Sequence, residues 1–178
     1  MPEAINQQQR SNGFEGVTTN SSGAQVYVAF QREWADDPVG YVKIGRYTPA
    51  TQQWAFFHYP LDAAPADGWV GLSEITWLGD ETFLVVERDN QQRDNAQRKR
   101  LYSVSVAGVT PAPAGRIPPT LAKTLARDLL AEDDFRLEKI EGAALTEFGH
   151  LLVVNDNDGA GETRLLRLPG LSFGGQPR

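Results

Sequence analysis

One pattern occurs three times in this chain and limits its fold more than any other feature. Gly13–Glu33 reads GFEGVTTNSSGAQVYVAFQRE, Gly71–Asp89 reads GLSEITWLGDETFLVVERD, and Lys139–Asn157 reads KIEGAALTEFGHLLVVNDN. Each runs from an apolar residue through a small or acidic pair to a second apolar residue. A glycine turn, an apolar run and a polar triplet follow. Superposing the apolar residues pairs Val17 with Ile75 and Ala143, at offsets of 58 and 68 residues. A unit repeated at this length marks a repeat architecture.

Around each repeat the sequence predicts short strands joined by turns. The first unit has them at Phe14–Thr18, Gln25–Phe30, Tyr41–Tyr47 and Gln53–Tyr59, and the second at Leu72–Trp77, Thr82–Glu87 and Arg100–Val106. The third has Ile140–Leu145, His150–Asn155 and Glu162–Leu168. Leu121–Ala131 is ambiguous: Leu121, Leu125 and Leu129 keep helical spacing, whereas the repeat asks for a fourth strand. The reading adopted is a strand around Lys123–Leu129 and a helical turn at Ala131–Phe135. Thr110–Pro119, rich in Pro and Gly, cannot be regular throughout.

The expected fold is therefore all-β and β-propeller-like, with about three four-stranded antiparallel blades over roughly 12–62, 68–131 and 139–168. A flexible lead-in, 1–11, precedes them and a C-terminal tail, 169–178, follows. Propellers typically have about 4–8 blades, so this is a partial ring. Missing blades of a longer chain, or another copy, would complete it. Unpaired sheet edges favour the longer chain.

Composition removes several function classes. The net charge of −6 and pI near 4.9 argue against a nucleic-acid partner, which needs clustered Lys and Arg. With no cysteine there is no disulfide, thiolate nucleophile or Cys-based metal site. No apolar run approaches the ~20 residues of a membrane helix, and MPEAINQQQR lacks the apolar segment of a signal peptide. No G-x-S-x-G, H-E-x-x-H or helix-opening phosphate loop occurs. His58 and His150 lie in different units and read as turn or packing residues. Trp54, Trp69 and Trp77 read as filler between sheets, while Trp34, in a loop among charges, could face a ligand. Asp156-Asn157-Asp158-Gly159 is no EF-hand: with Gly159 as the loop glycine, the end ligands would be Val154 and Leu165.

Two sets of residues remain as candidate chemistry. In a propeller the first strand of each blade lines the central channel, which would bring Glu15, Glu74 and Glu141 towards one another. Glu15 and Glu141 are repeat-equivalent and each precedes a glycine, which permits close backbone approach or a bulge beside a ligand. Ser73 holds that place in the second unit, with Glu74 one residue on. Converging carboxylates suit Ca2+; the alternative is that Glu15 and Glu141 bond backbone amides of the next blade. The second set follows each second strand: Gln31-Arg32-Glu33, Glu87-Arg88-Asp89-Asn90 and Asn155-Asp156-Asn157-Asp158. Glu15, Glu141, Asp89, Asp156 and Asp158 are the candidate metal ligands, and Arg32, Arg88 and Lys139 the candidate phosphate binders. Solvated loops with surface ion pairs are the alternative, and the reading preferred for Asp80, Glu81, Asp133 and Asp134.

The wording of the repeats, Ser11–Thr18, Phe83–Asp89, Lys139–Gly142 and Leu152–Asn157, resembles the phytase-like family, also called "esterase-like activity of phytase". The resemblance runs from Ser11 to about Leu168 and matches the later portion of a longer bacterial domain. It implies a propeller-like fold and a phosphoester or ester hydrolase acting on a phosphorylated small molecule, with Ca2+ assistance by analogy with calcium-dependent propeller phytases. Family members often carry export signals, so the compartment stays open. A non-catalytic binding or scaffold propeller, or an inactive fragment of a longer protein, is the alternative.

Overall fold

The computed structural model describes residues 1–9, 12–157, 159 and 161–171. A short helix, α1 (Glu3–Asn6), precedes β1 (Phe14–Thr19), β2 (Val26–Phe30), β3 (Tyr41–Thr48) and β4 (Gln53–Pro60). Next come β5 (Val70–Gly79), β6 (Thr82–Asp89), β7 (Lys99–Ser105), the two-residue β8 (Ala112–Pro113) and β9 (Lys123–Asp128). Helix α2 (Leu129–Asp133) leads to β10 (Lys139–Leu145), β11 (Leu151–Asp156) and β12 (Leu165–Leu168). The described residues thus form twelve strands in three open antiparallel sheets, β1-β2-β3-β4-β8, β5-β6-β7-β9 and β10-β11-β12, and no closed barrel. None of their helices is long and apolar enough to cross a membrane.

The sheets lie in series, first strand against first strand. A Cβ on Gly16 of β1 would come within 2.5 Å of the Ile75 backbone nitrogen in β5, so only glycine allows this approach. Side-chain hydroxyls complete the joint. Thr18 Oγ1 accepts from the Trp77 amide at 3.1 Å, and its repeat equivalent Thr76 donates to the Ala143 carbonyl at 2.7 Å. Ser73 Oγ donates to the Ile140 carbonyl. Hydroxyls thus do the joining that the sequence reading offered to Glu15 and Glu141.

Burial follows from this order. Tyr27, Ala29, Ile44 and Phe57 of the first sheet meet Leu72, Ile75, Phe83 and Val85 of the second. The other face of the second sheet, Leu84, Val86 and Leu101, meets Ile140, Leu151 and Val153 of the third. A strand covered on both faces can be apolar throughout, and β6 is buried at every residue after Thr82. The equally apolar β11 alternates buried and open residues because one of its faces is uncovered. That outer face leaves Val154 36% and Leu165 69% exposed, whereas Val86, the equivalent of Val154, is fully buried. At the other end Phe14 and Val17 are 48% and 65% exposed, whereas their equivalents Leu72 and Ile75 are fully buried.

Three segments add detail to the sequence reading. Within the described part of the lead-in, Ile5 of α1 is buried against Phe30, Trp34 and Phe56, because the outer face of the first sheet is apolar and needs cover. Within the Pro-rich excursion, β8 adds a fifth strand to the first sheet by pairing with Ala55 and Phe56. Leu121–Ala131 resolves as strand then helix, the change coming at Asp128, whose carboxylate caps α2 by accepting from the amides of Leu130 and Ala131.

Candidate functional site

Each first strand breaks register with its partner at the same repeat position. The slips lie between Phe14 and Gly16, between Leu72 and Glu74, and between Ile140 and Gly142. The extra residue in each bulge is Glu15, Ser73 or Glu141. A bulge re-aims its side chain and twists the strand, so the sequence has placed an acid, a hydroxyl and an acid at three corresponding points of three adjoining strands. Glycine after Glu15 and Glu141 fits that geometry, as the sequence suggested.

Arg88, the last but one residue of β6, reaches across to the third sheet. Its Nη2 donates to Glu141 Oε1 at 2.8 Å, and the residue is only 2% exposed. Its Nε and Nη1 are buried without a hydrogen-bond partner. The Trp69 ring lies beside this guanidinium, 5.3 Å from Cζ to ring centroid, and Arg32 stands 4.9 Å from the same ring. Asn90 fixes Trp69 by accepting its backbone N–H at 2.8 Å. Two guanidiniums on one indole are a cation–π arrangement that keeps positive charge in a partly dry place.

Glu74 and Glu15 both feel the charge of Glu141. Burial pushes the Glu74 carboxyl up to about 7; the Ile75 amide, which donates to it, opposes the rise and the charge of Glu141 adds to it. Glu15 is raised too, first by partial desolvation and then by Glu141, while Arg88 and Lys139 pull it back. Glu141 is thus the member of the acid set that both others feel. Glu74 couples folding to pH: its folded pKa lies above its unfolded value, so the native state gains stability as pH falls from about 7.5 to 5 and loses it on the way back. Urea unfolding of Glu74→Gln across that range is expected to show a flatter slope than wild type; an unchanged slope would assign the titration to another group.

The remaining candidates separate. Lys139 opens β10 and faces Asp156 across the β10–β11 pair, and Asp156 lines a cleft of about 560 Å³ together with Arg93, Glu138, Asn155 and Glu162 among others. Asp89 leaves the set. It is fully buried, its carboxylate accepts from the amides of Gln91, Gln97 and Arg98, and it pairs with Lys99 at 2.8 Å. Its place at the end of a buried strand turns it inwards, where it shapes the loop and pairs with Lys99. Asp158 lies outside the described residues. Trp34, offered to a ligand by the sequence, is 2% exposed and packs on Phe30 and Phe14. Trp69, read as filler from the sequence, is the tryptophan at the site, and nothing local in Gly68-Trp69-Val70 signals it.

A calcium ion needs six to eight oxygens. Among the described residues no three His, Asp or Glu side chains stand close enough to hold a metal ion, and Arg88 occupies the Glu141 carboxylate. The described residues do not form a calcium cage. Arg88 instead keeps two buried guanidinium nitrogens without a partner, and Glu74, which feels the charge of Glu141, holds its proton near neutrality.

An all-β protein of three serially packed antiparallel sheets, with an arginine–carboxylate site where two of them meet, is the class this architecture defines. The chain belongs to the phytase-like family, whose model, described as esterase-like activity of phytase, matches residues 1–159. That description makes it a family of phytase- and esterase-like hydrolases. No curated protein and no solved structure matches the chain.

Proposed function

We propose that the chain is part of a β-propeller hydrolase that cleaves phosphoesters or esters of a small molecule at the Arg88–Glu74–Glu141 site. One observation carries the reading: the buried guanidinium of Arg88 keeps Nε–H and Nη1–H unpartnered, and an unmade hydrogen bond to a charged buried donor is expensive unless a ligand makes it. Those donors take two phosphoryl oxygens, with the half-buried Trp69 as the movable cover and Arg32 as a second cation. Water attacks phosphorus, the bond to the leaving oxygen breaks, and Glu74 gives that oxygen its proton. Glu141 or Glu15 takes the proton from the attacking water. Lys139, paired with Asp156 across the strands, adds positive charge near Glu15.

The propeller reading is supported by the uncovered outer faces. Leu72 and Ile75 show what covers such positions: a sheet of the same repeat. Further sheets from the rest of a longer chain, or from a second copy, would sit on Phe14 and Val17 at one end and on Val154 and Leu165 at the other.

Hydrolysis of p-nitrophenyl phosphate, phenyl phosphate and p-nitrophenyl acetate tests the chemistry. Arg88→Gln is expected to lower kcat/KM for the phosphate esters by about 100-fold, the loss typical of one preorganised charge-stabilising group. Glu74→Gln is expected to slow phenyl phosphate more than p-nitrophenyl phosphate, because the poorer leaving group needs the proton more. Wild type at background on all three esters would leave a non-catalytic binding module.

A further inference from the structure

Ten residues beyond Asp89 the chain places a second buried cation, Lys99, and its surroundings are those of a bound ion. The side chains of Lys99 and Asp89 are both fully buried. Around Nζ stand Asp89 Oδ1 at 2.8 Å, the Asp89 carbonyl at 3.0 Å, the Gln91 carbonyl at 2.8 Å and the Glu138 carbonyl at 2.6 Å. An ammonium has only three N–H groups, so four oxygens face three donors. Three carbonyl dipoles and a carboxylate aimed at one point repel one another unless a positive charge sits there. Hard oxygen donors of this kind are what alkali and alkaline-earth ions take. The spacing is wider than the about 2.3–2.6 Å that calcium prefers, and it suits an ion of ammonium size.

We propose that Asp89, Gln91 and Glu138 form a monovalent-cation site whose resident ion is the Lys99 ammonium, held in place of a metal. The site ties three stretches that are remote in sequence: the end of β6, the loop after it, and the residue before β10. Asp89 adjoins Arg88 and Glu138 adjoins Lys139, so the ammonium also sets the spacing between the second and third sheets where the anion site lies. Removing the ammonium leaves an oxygen cage that accepts potassium, ammonium or an alkylammonium from solution.

Thermal unfolding, followed by circular dichroism at constant ionic strength in tetramethylammonium chloride, tests this independently of catalysis. Wild type is expected not to respond to added potassium, propylammonium, calcium or chelator. Lys99→Ala and Lys99→Met are each expected to lose about 10 °C in Tm, the loss that follows from stripping one partner from a buried charge in a protein of this size. Propylammonium chloride, the missing part of the side chain, restores at least half of the loss in Lys99→Ala, saturably, and potassium restores part. Lys99→Met, whose thioether fills the cage, recovers nothing. If Lys99→Ala is unfolded at the start, propylammonium is expected to refold it. The proposal is overturned if Lys99→Met is as stable as wild type, or if propylammonium neither restores nor refolds Lys99→Ala beyond tetramethylammonium. A stronger response to calcium than to potassium overturns the monovalent assignment.

Discussion

Gly16→Ala is expected to destabilise the protein by about 3 kcal/mol, the upper end for overpacking and a large share of a typical folding free energy. The added methyl would lie 2.5 Å from the Ile75 nitrogen and 2.8 and 2.9 Å from the carbonyl carbon and Cα of Glu74, all of them backbone atoms that cannot turn aside. Relief requires β1 to leave β5, which also breaks the Thr18–Trp77 hydrogen bond. Gly142→Ala is the control at the equivalent repeat position. There the methyl meets only Val154 Cγ1, at 2.8 Å, and that side chain stands on an open face where it can rotate. Its effect is expected to stay within about 1 kcal/mol, the range of most substitutions that strain nothing rigid. Urea unfolding of the two variants measures the difference, and equal losses would contradict the serial packing of the first strands.

Lys123→Met is expected to lose about 3 kcal/mol at pH 7.5, because it strips a fully buried carboxylate of its cation. Lys123 Nζ lies 2.6 Å from Glu87 Oε2 and 2.8 Å from Asp62 Oδ1, and 4.1 Å from the Tyr102 ring centroid. Without it Glu87 keeps only neutral donors, the Asp62 amide at 3.0 Å and the neighbouring Tyr59 hydroxyl. Burial already raises the Glu87 pKa against the opposing pull of Lys123, so the variant raises it further. A raised folded pKa gives stability that is present in acid and lost as pH rises, so the deficit shrinks towards about pH 5. Asp62 has the opposite sign. Although burial opposes it, Lys123, Tyr102 and Arg100 hold its carboxyl well below the usual range, and its contribution is lost only in stronger acid. Adding Glu87→Gln to Lys123→Met is expected to recover most of the loss, which urea unfolding at two pH values would show. No recovery would mean that the lysine acts through its packing on Tyr59 and Tyr102.

Both predictions concern contacts of very different visibility in the sequence. The close approach at Gly16 was legible, because the glycine belongs to a pattern that returns at Gly142 and marks the bulged strand. The three units, the bulged acids and the order of strands were legible for the same reason: apolar spacing and turn residues act locally and recur. Glu87 and Lys123 lie 36 residues apart with no shared motif, so only the packing of β9 beside β7 brings them together. Asp89 illustrates how polarity misleads at a strand end. Its place in a polar triplet suggests an open ligand, but the strand beneath it is buried on both faces and turns it inwards onto Lys99. Trp34 and Trp69 exchanged expected roles, since the loop carrying Trp34 folds over an apolar sheet face while Trp69 enters the gap between two arginines. Ile5 was hidden in a polar, Gln-rich stretch that has no periodicity of its own.

On the proposed function, Arg88 holds an anion where the second and third sheets meet. Isothermal titration of inorganic phosphate into wild type and Arg88→Gln, at pH 6 and low salt, tests it most directly. Saturable one-site binding by wild type, weakened at least about tenfold in Arg88→Gln and with both proteins folded by circular dichroism, is the predicted result, since a charge-assisted pair is worth about 1.5–3 kcal/mol. Equal binding by the two proteins, or none by wild type at millimolar phosphate, would contradict it.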